Sequence, residues 1–431
     1  MGSSQVAQAL MGGVGVGITD PFSVIQVNPA SYAGLRTPVF ETGAVTRLLR
    51  YEREEVKATG RRTDLMGLTL GIPIGRGSIL QGGSQLANRW GFALGVQPVS
   101  HVGYGISDPR HIPEAGGDVR FEYTGDGGLN RAFIGTALTL WQNNDTLLRG
   151  SRLAIGANLN YLFGRIEETR KVYYPQAGNH YNSSITSELI IRSPTVNTGL
   201  QLSGVFGDAR PVNSTTEADP RTPWRYTVGV SAELPAMLSA ERTELVNTFI
   251  IGSTGVEFPV DTVIFRDGAK GSVDLPLLLG AGLSITNARW TFALEHRRRD
   301  WTDLRIEVEG HATRSQLATH EIYSFGTSFR PMGDRLGGTI WQRSIYRGGI
   351  RYNRDHRIVH DQRLQEIGIA FGIGVPIMSN ITRSRINFGV EAGERGTTDQ
   401  GLLRERYINI LVGVTITPDV REQWFKKKRL E

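Results

Sequence analysis

The stretch RERYINILVGVTIT, residues 404–417, decides the fold. Ile408, Ile410, Val412, Val414 and Ile416 fall on one side of an extended chain, and Asn409, Gly413 and Thr415 fall on the other. Successive side chains of a strand point to opposite faces, so a two-residue period marks a β-strand with one apolar face. The second face carries the information. A soluble sheet shows Lys, Glu and Gln to water, whereas the mid-strand positions here are Asn, Gly and Thr.

The same register recurs upstream. In 385–392, Ile386, Phe388, Val390 and Ala392 oppose Arg385, Asn387, Gly389 and Glu391. Ile367, Ile369, Phe371, Ile373 and Val375 alternate with Gly368, Ala370, Gly372 and Gly374, and Leu153 to Phe163 repeats the pattern against Gly156, Asn158 and Asn160. Apolar faces that run five or six alternate positions without a charge suit lipid, where a midplane Arg or Lys costs roughly 2–4 kcal/mol. Small residues on the other face suit a crowded lumen. The reading is an all-β, transmembrane antiparallel β-barrel, with a large soluble β-sandwich or solenoid as its competitor.

Strands are predicted near 38–56, 61–75, 89–104, 117–141, 150–170, 185–206, 222–236, 271–285, 288–306, 314–331, 343–355, 361–376, 382–394 and 404–417. That makes about fourteen, and an even number returns both ends of the wall to the periplasmic side. Short connections such as Thr286 to Arg289 and Met378 to Ile381 are then periplasmic, and the long ones near 105–116, 170–184, 236–270 and 395–404 are outside. Gly125 to Gly128 leave open whether 117–141 is one strand or a hairpin. Trp90, Trp224 and Trp290 open strands and Trp141 closes one, where an aromatic girdle would sit; Trp301 has the opposite parity to Trp290.

Composition agrees. Glycine supplies 53 of 431 residues, spread through apolar segments, against roughly 7% in average chains. No window holds the roughly eighteen consecutive apolar residues of a membrane-spanning helix; the mean hydropathy of −0.22 is that of half-apolar strands. There is no cysteine, hence no disulfide framework and no thiolate metal site. The net charge of +6 comes from scattered arginines and one run, Lys426 to Arg429, which argues against nucleic-acid binding and reads as a solvated periplasmic tail. The start lacks the apolar core and cleavage site of an export signal, so the expectation is a signal already removed.

Residues 1–37 do not alternate. Gly12, Gly13, Gly15 and Gly17 precede Asp20-Pro21-Phe22 and then Asn28-Pro29-Ala30-Ser31-Tyr32. Ile18 stands where a GxGxxG motif needs its third glycine, so phosphate cradling is set aside in favour of tight backbone packing. The predicted division is an N-terminal segment at 1–37, a barrel at 38–417 and a basic tail at 418–431.

The run GGVGVGITDPFSVIQVNPASYAGL before the first strand, and the last strand followed by Trp424-Phe425 and basic residues, resemble the FadL-type outer-membrane transporters of hydrophobic compounds, in the divergent form common in Bacteroidota. The resemblance implies a hatch inside the lumen, with Asn28, Pro29 and Ala30 as its motif and Gly12, Gly13, Gly15 and Gly17 as its glycines. It also implies capture of a hydrophobic, fatty-acid-like molecule and lateral exit through the wall, by passive diffusion. The motif continues here as Ser31-Tyr32, and the outer loops hold no long apolar helical hairpin, so pocket residues do not carry over.

No enzyme signature or cofactor motif is present: GxSxG is missing, and His356 and His360, four apart, fall in a charged turn instead of on a helix. His296, Arg297, Arg298, Arg299 and Asp300 read as a strand end reaching lipopolysaccharide headgroups. Two functions remain: uptake of hydrophobic small molecules, or a scaffold barrel partnering other outer-membrane or secretion-system proteins, as in type IX-like secretion or a surface complex.

Overall fold

The computed structural model describes residues 5–54, 56–74, 90–142, 151–175, 180–206, 224–309, 316–333, 338–377 and 383–418. Its strands are β1 (Val39–Arg53), β2 (Val56–Ile74), β3 (Trp90–Pro98), β4 (Val102–Ile112), β5 (Gly117–Gln142), β6 (Arg152–Tyr173), β7 (Asn182–Val205), β8 (Arg225–Glu233) and β9 (Ala236–Ile251). They continue as β10 (Glu257–Leu275), β11 (Leu278–Thr286), β12 (Trp290–Asp300), β13 (Arg305–Glu307), β14 (Thr319–Phe329), β15 (Ile345–Val359), β16 (Gln362–Pro376), β17 (Arg385–Arg395) and β18 (Arg404–Ile416). Every pairing is antiparallel, and β1 closes onto β18 from Phe40↔Ile416 to Glu52↔Arg404. Four strands, β4, β9, β10 and β13, continue the wall beyond a break, so the closed ring has fourteen.

The apolar positions of the alternation form the outer face: Ile155, Leu159, Leu294, Ile369, Phe371 and Val412 are all exposed. With no edge left unpaired at this level, such a ring satisfies its backbone polar groups internally, as a hydrocarbon environment demands. Trp90, Trp141, Trp224 and Trp290 are exposed on this face near the rim where both ends of the wall lie. Trp290 stacks on Phe292 at 5.6 Å and Phe329 at 4.3 Å. Trp301 sits at the opposite mouth, against His356. The turn at that inner rim between β11 and β12 is fixed by Asn287, whose Oδ1 accepts from the Arg289 and Trp290 amides. The connection near 378–381, residues 1–4 and the tail from 419 onward, with Trp424 and Phe425, lie outside the described residues.

Three expectations need correction or completion. Residues 117–142 form one strand; Gly127 and Gly128, at φ +110° and +150°, bend it without splitting it. The stretches 105–116 and 236–270, expected as loops, are largely strands β4, β9 and β10. They lie beyond the ring; β4 is largely exposed, β10 is exposed at every position from Glu257 to Asp267, and β9 buries only Leu238, Ala240 and Phe249, too few to impose a two-residue period along its length. Finally, the wall bends along one line: β3 gives way to β4 at 99–101, β8 to β9 at 234–235, and β10 to β11 at 276–277.

Candidate functional site

The N-terminal segment is the most buried part of the chain. Its elements are short, a helical turn α1 (Val6–Ala9) and a 3-10 turn over Pro29–Gly34, and Leu10, Val16, Val24, Asn28, Ala30, Ala33 and Leu35 have no exposure. Such irregular backbone is tolerated at barrel depth only where protein surrounds it.

Glycines make the surrounding possible. A Cβ on Gly282 would come within 2.6 Å of the Gly17 nitrogen, one on Gly156 within 2.5 Å of the Pro29 carbonyl carbon, and one on Gly43 or Gly413 within 2.6 Å of Val6. Gly71 meets Val24, Gly91 and Gly135 meet Tyr32, and Gly199 meets Asn28. Gly229 meets Val16, Gly326 meets Met11, Gly349 meets Gly12, and Gly372 and Gly389 meet Leu10. Thirteen of the fourteen ring strands thus turn a glycine towards the segment, and β12 turns Ala293, buried with Met11 and Val14. The small-residue face read from the sequence is the contact surface for residues 5–35. The cleft beside Gln5, Glu41, Thr69 and Asn387 leaves about 10 Å³, room for a single water.

Polar anchors pin the same segment. The Glu295 carboxylate accepts from the Gly15 and Val16 amides at 2.6 and 2.7 Å and pairs with Arg297 at 2.8 Å. Glu41 accepts from the Val24 amide and the Ser23 hydroxyl. Gln201 donates to the Val16 and Ile18 carbonyls, and Ser284 to that of Gly17. Each satisfies a backbone group of the segment that no strand could reach.

The residues singled out in the sequence meet here. Asn28 accepts from the Ala30 amide through Oδ1 and donates through Nδ2 to the Val16 carbonyl at 2.8 Å and, at longer range, to Leu200 of β7 and Val230 of β8. Pro29 opens the 3-10 turn, where a missing amide costs nothing, and Ala30 lies against Gly156. Gly12 and Gly13 are left-handed at φ +71° and +83°; a Cβ on Gly15 would meet Ile25, and one on Gly17 the backbone of β11. The His296 to Asp300 cluster, expected to reach headgroups as a whole, divides between the two faces of β12. Arg297 and Arg299 turn inward, the first to Glu295 and the second to Glu233, while Arg298 alone is well exposed. Parity with Ala293 was the available signal. The Glu233 partner of Arg299, 66 residues away, gave none.

Outward of the segment the inward face changes character. Arg131 and Arg299 converge on Glu233; Arg351 pairs with Glu366 at 3.0 Å and Glu391 at 2.7 Å, and Tyr407 and Asn409 complete that set. Beside these lies an apolar cluster, Leu162, Ile191, Leu238, Ala240 and Val308, extended by Val99 and Leu129. Val308 follows β13, so the chain's own connection fills this patch.

Val99 also marks a break in the wall. The β2–β3 ladder ends at Leu68↔Val96, and β4 pairs with β5 alone, so among the described residues β2 from Val56 to Gly67 has no partner on that side. The Ser100 carbonyl accepts from Leu129 instead. His101 reaches back across the break, 3.8 Å from Asp64, which Arg62 holds at 2.7 Å.

The BamG family model matches residues 2–431. The chain belongs to the BamG family. Curated proteins offer this BamG family member no match in sequence. Solved structures resemble it in fold: the Pseudomonas putida toluene transporter TodX at TM-score 0.58 and 15% identity, covering 97% of this chain and 99% of that one. The Ralstonia pickettii toluene transporter TbuX gives 0.55 and 12%, covering 96% and 98%; a Pseudomonas aeruginosa FadL homologue gives 0.53 and 12%, covering 98% and 99%. The FadL-type resemblance read from the two ends of the sequence therefore holds for the architecture, and BamG is a family distinct from it.

Proposed function

We propose that this BamG family member is an outer-membrane barrel that takes up small hydrophobic molecules sideways through its wall, with residues 1–37 as a hatch that shuts the lumen. The observation that carries the reading is the apolar cluster around Leu162, Ile191 and Leu238, which runs through Val99 to the break between β2 and β4. An apolar solute gains about 25 cal/mol per Å² by leaving water for such a surface and nothing from an ion-paired lumen. The Val308 side chain fills part of this patch and would have to move aside on loading. Asn28, Pro29 and Ala30 act in this scheme as the hatch motif, holding the segment to β7 and β8. Structural neighbours described as toluene transporters support a hydrophobic cargo; a fatty-acid-like molecule is the finer expectation.

The test is transfer of radiolabelled toluene or a medium-chain fatty acid into proteoliposomes. The chain has no cysteine, so Asp64→Cys and His101→Cys joined by a short bis-maleimide would close the gap selectively. Transfer should fall to the protein-free rate after cross-linking and recover with a cleavable linker. Transfer untouched by the cross-link defeats the lateral route.

A second reading is a scaffold that partners another outer-membrane or secretion-system protein. The unpaired edges of β2 and β4 favour it, since exposed edges accept an added strand. Absence of any cargo transfer, with a photo-cross-linker at Gly103 trapping one defined partner, would select it.

A further inference from the structure

Among the buried arginines of this barrel, Arg152 stands apart. Arg297 pairs with Glu295, Arg131 and Arg299 with Glu233, and Arg351 with two glutamates. Arg347 donates to Asn387, and Arg385 to the carbonyls of Arg343 and Gly374. Arg152 is only 3% exposed, yet neither its Nε nor its Nη1 meets an acceptor. The charge that acts on it makes matters worse: Arg225 bears on Arg152, and among the described residues no carboxylate does.

Register explains how they meet. Arg152 opens β6 opposite Ser203 of β7, and Arg225 opens β8 opposite Val205 of the same strand. Arg152 shares parity with inward Ala154, and Arg225 with inward Thr227, so both guanidinium groups face inward from the inner rim. The Arg152 Nη atoms lie 3.4 Å from where a Cβ on Gly34 would stand, over the turn by which the N-terminal segment leaves for β1, and Arg36 follows two residues later. A buried charge left uncompensated is strongly destabilising, and guanidinium groups converging without an acid are the arrangement that holds oxyanions.

We propose that Arg152 and Arg225 form a binding site for a phosphate-type oxyanion at the inner rim. The oxyanion supplies the missing counter-charge and ties β6 and β8 to the exit of the N-terminal segment. Its source is either free phosphate or the phosphate of a lipid headgroup. The site does not depend on the uptake reading.

Calorimetric titration of the full chain in phosphate-free dodecyl maltoside tests this, with inorganic phosphate in one arm and short-chain phosphatidylglycerol in the other, against chloride at matched ionic strength. Saturable binding of one oxyanion per chain is expected, and the tighter of the two ligands names the source. Arg152→Gln and Arg225→Gln should each weaken it about tenfold, and Arg152→Lys less, since a charge remains without the fork. Heat-modifiable migration checks that each variant is folded; if Arg152→Gln is not, Arg225→Gln and the wild-type titration still decide. No saturable binding of either ligand, or binding unchanged in a folded Arg225→Gln, overturns the site.

Discussion

At the level of Gly229 and Gly282 the wall meets the N-terminal segment backbone to backbone, whereas at Glu233 and Arg299, further along the same sheet, it meets itself through charges. The inner level leaves little room to rearrange, because its closeness comes from the absence of Cβ atoms on the wall. The outer level has long side chains, an apolar patch and an interrupted ladder. Rigidity and adaptability are thus stacked within one cylinder. The proposed route for cargo lies at the outer level, where groups can move without breaking strand hydrogen bonds.

The largest expected effect comes from removing the inner level altogether. Deleting residues 5–30 should leave the wall's hydrogen bonds intact and raise single-channel conductance in planar bilayers from near baseline to that of an open aqueous pore. Unchanged conductance in a barrel that still shows heat-modifiable migration would dissolve the distinction between the two levels. Next in size, Gly282→Val should destabilise by about 3 kcal/mol, because the side chain collides with the backbone of Gly17 and not with a flexible group. Gly105→Val is the control, with nothing within 4 Å of its would-be Cβ, and should stay within about 0.5 kcal/mol in denaturant titration.

The charges should separate the levels in the same order. Glu295→Gln keeps the shape but weakens two amide contacts to the segment and leaves Arg297 uncompensated, at a cost of about 2–4 kcal/mol. Glu391→Gln leaves Arg351 its second partner, Glu366, so about 1–2 kcal/mol is expected from the same titration. Equal losses would show that the outer charges matter to the fold as much as the inner anchor does. The smallest effect lies beyond the ring, where the hydrogen bond from Lys171 holds the Glu257 carboxyl below its ordinary value of 4.5. A depressed carboxyl pKa contributes stability that is complete above the unfolded value and is lost as pH falls through the folded one. Hydrogen exchange at the β9–β10 hairpin, corrected for intrinsic rates, should therefore rise only below pH 4.5, and Lys171→Met should remove that dependence.

The ring was legible in the sequence because each of its strands has one face against lipid and one against the segment, and two unlike environments print a two-residue period. The Gly156, Gly372, Gly389 and Gly413 positions were visible as small residues on the second face. What they touched was not, since nothing local ties Gly413 to Val6. Strand β10 escaped notice because its outer stretch is open on both faces, so Phe258, Val260, Val263 and Phe265 follow no single alternation, and β9 because its buried Leu238 and Ala240 give way to a run of half-exposed positions. Asn28-Pro29-Ala30 drew attention as a motif, but the role of Asn28 depends on carbonyls of β7 and β8 more than 170 residues away. Glu295 and Glu41 have nothing local in the sequence to mark their amide partners in the N-terminal segment.

Val6 touches both Gly43 of β1 and Gly413 of β18, the two strands whose pairing closes the ring. The first helical turn therefore straddles the seam from within. The joint of the cylinder thus carries its contents directly behind it: the one place where a first strand meets a last is backed by a side chain from the segment that the two enclose.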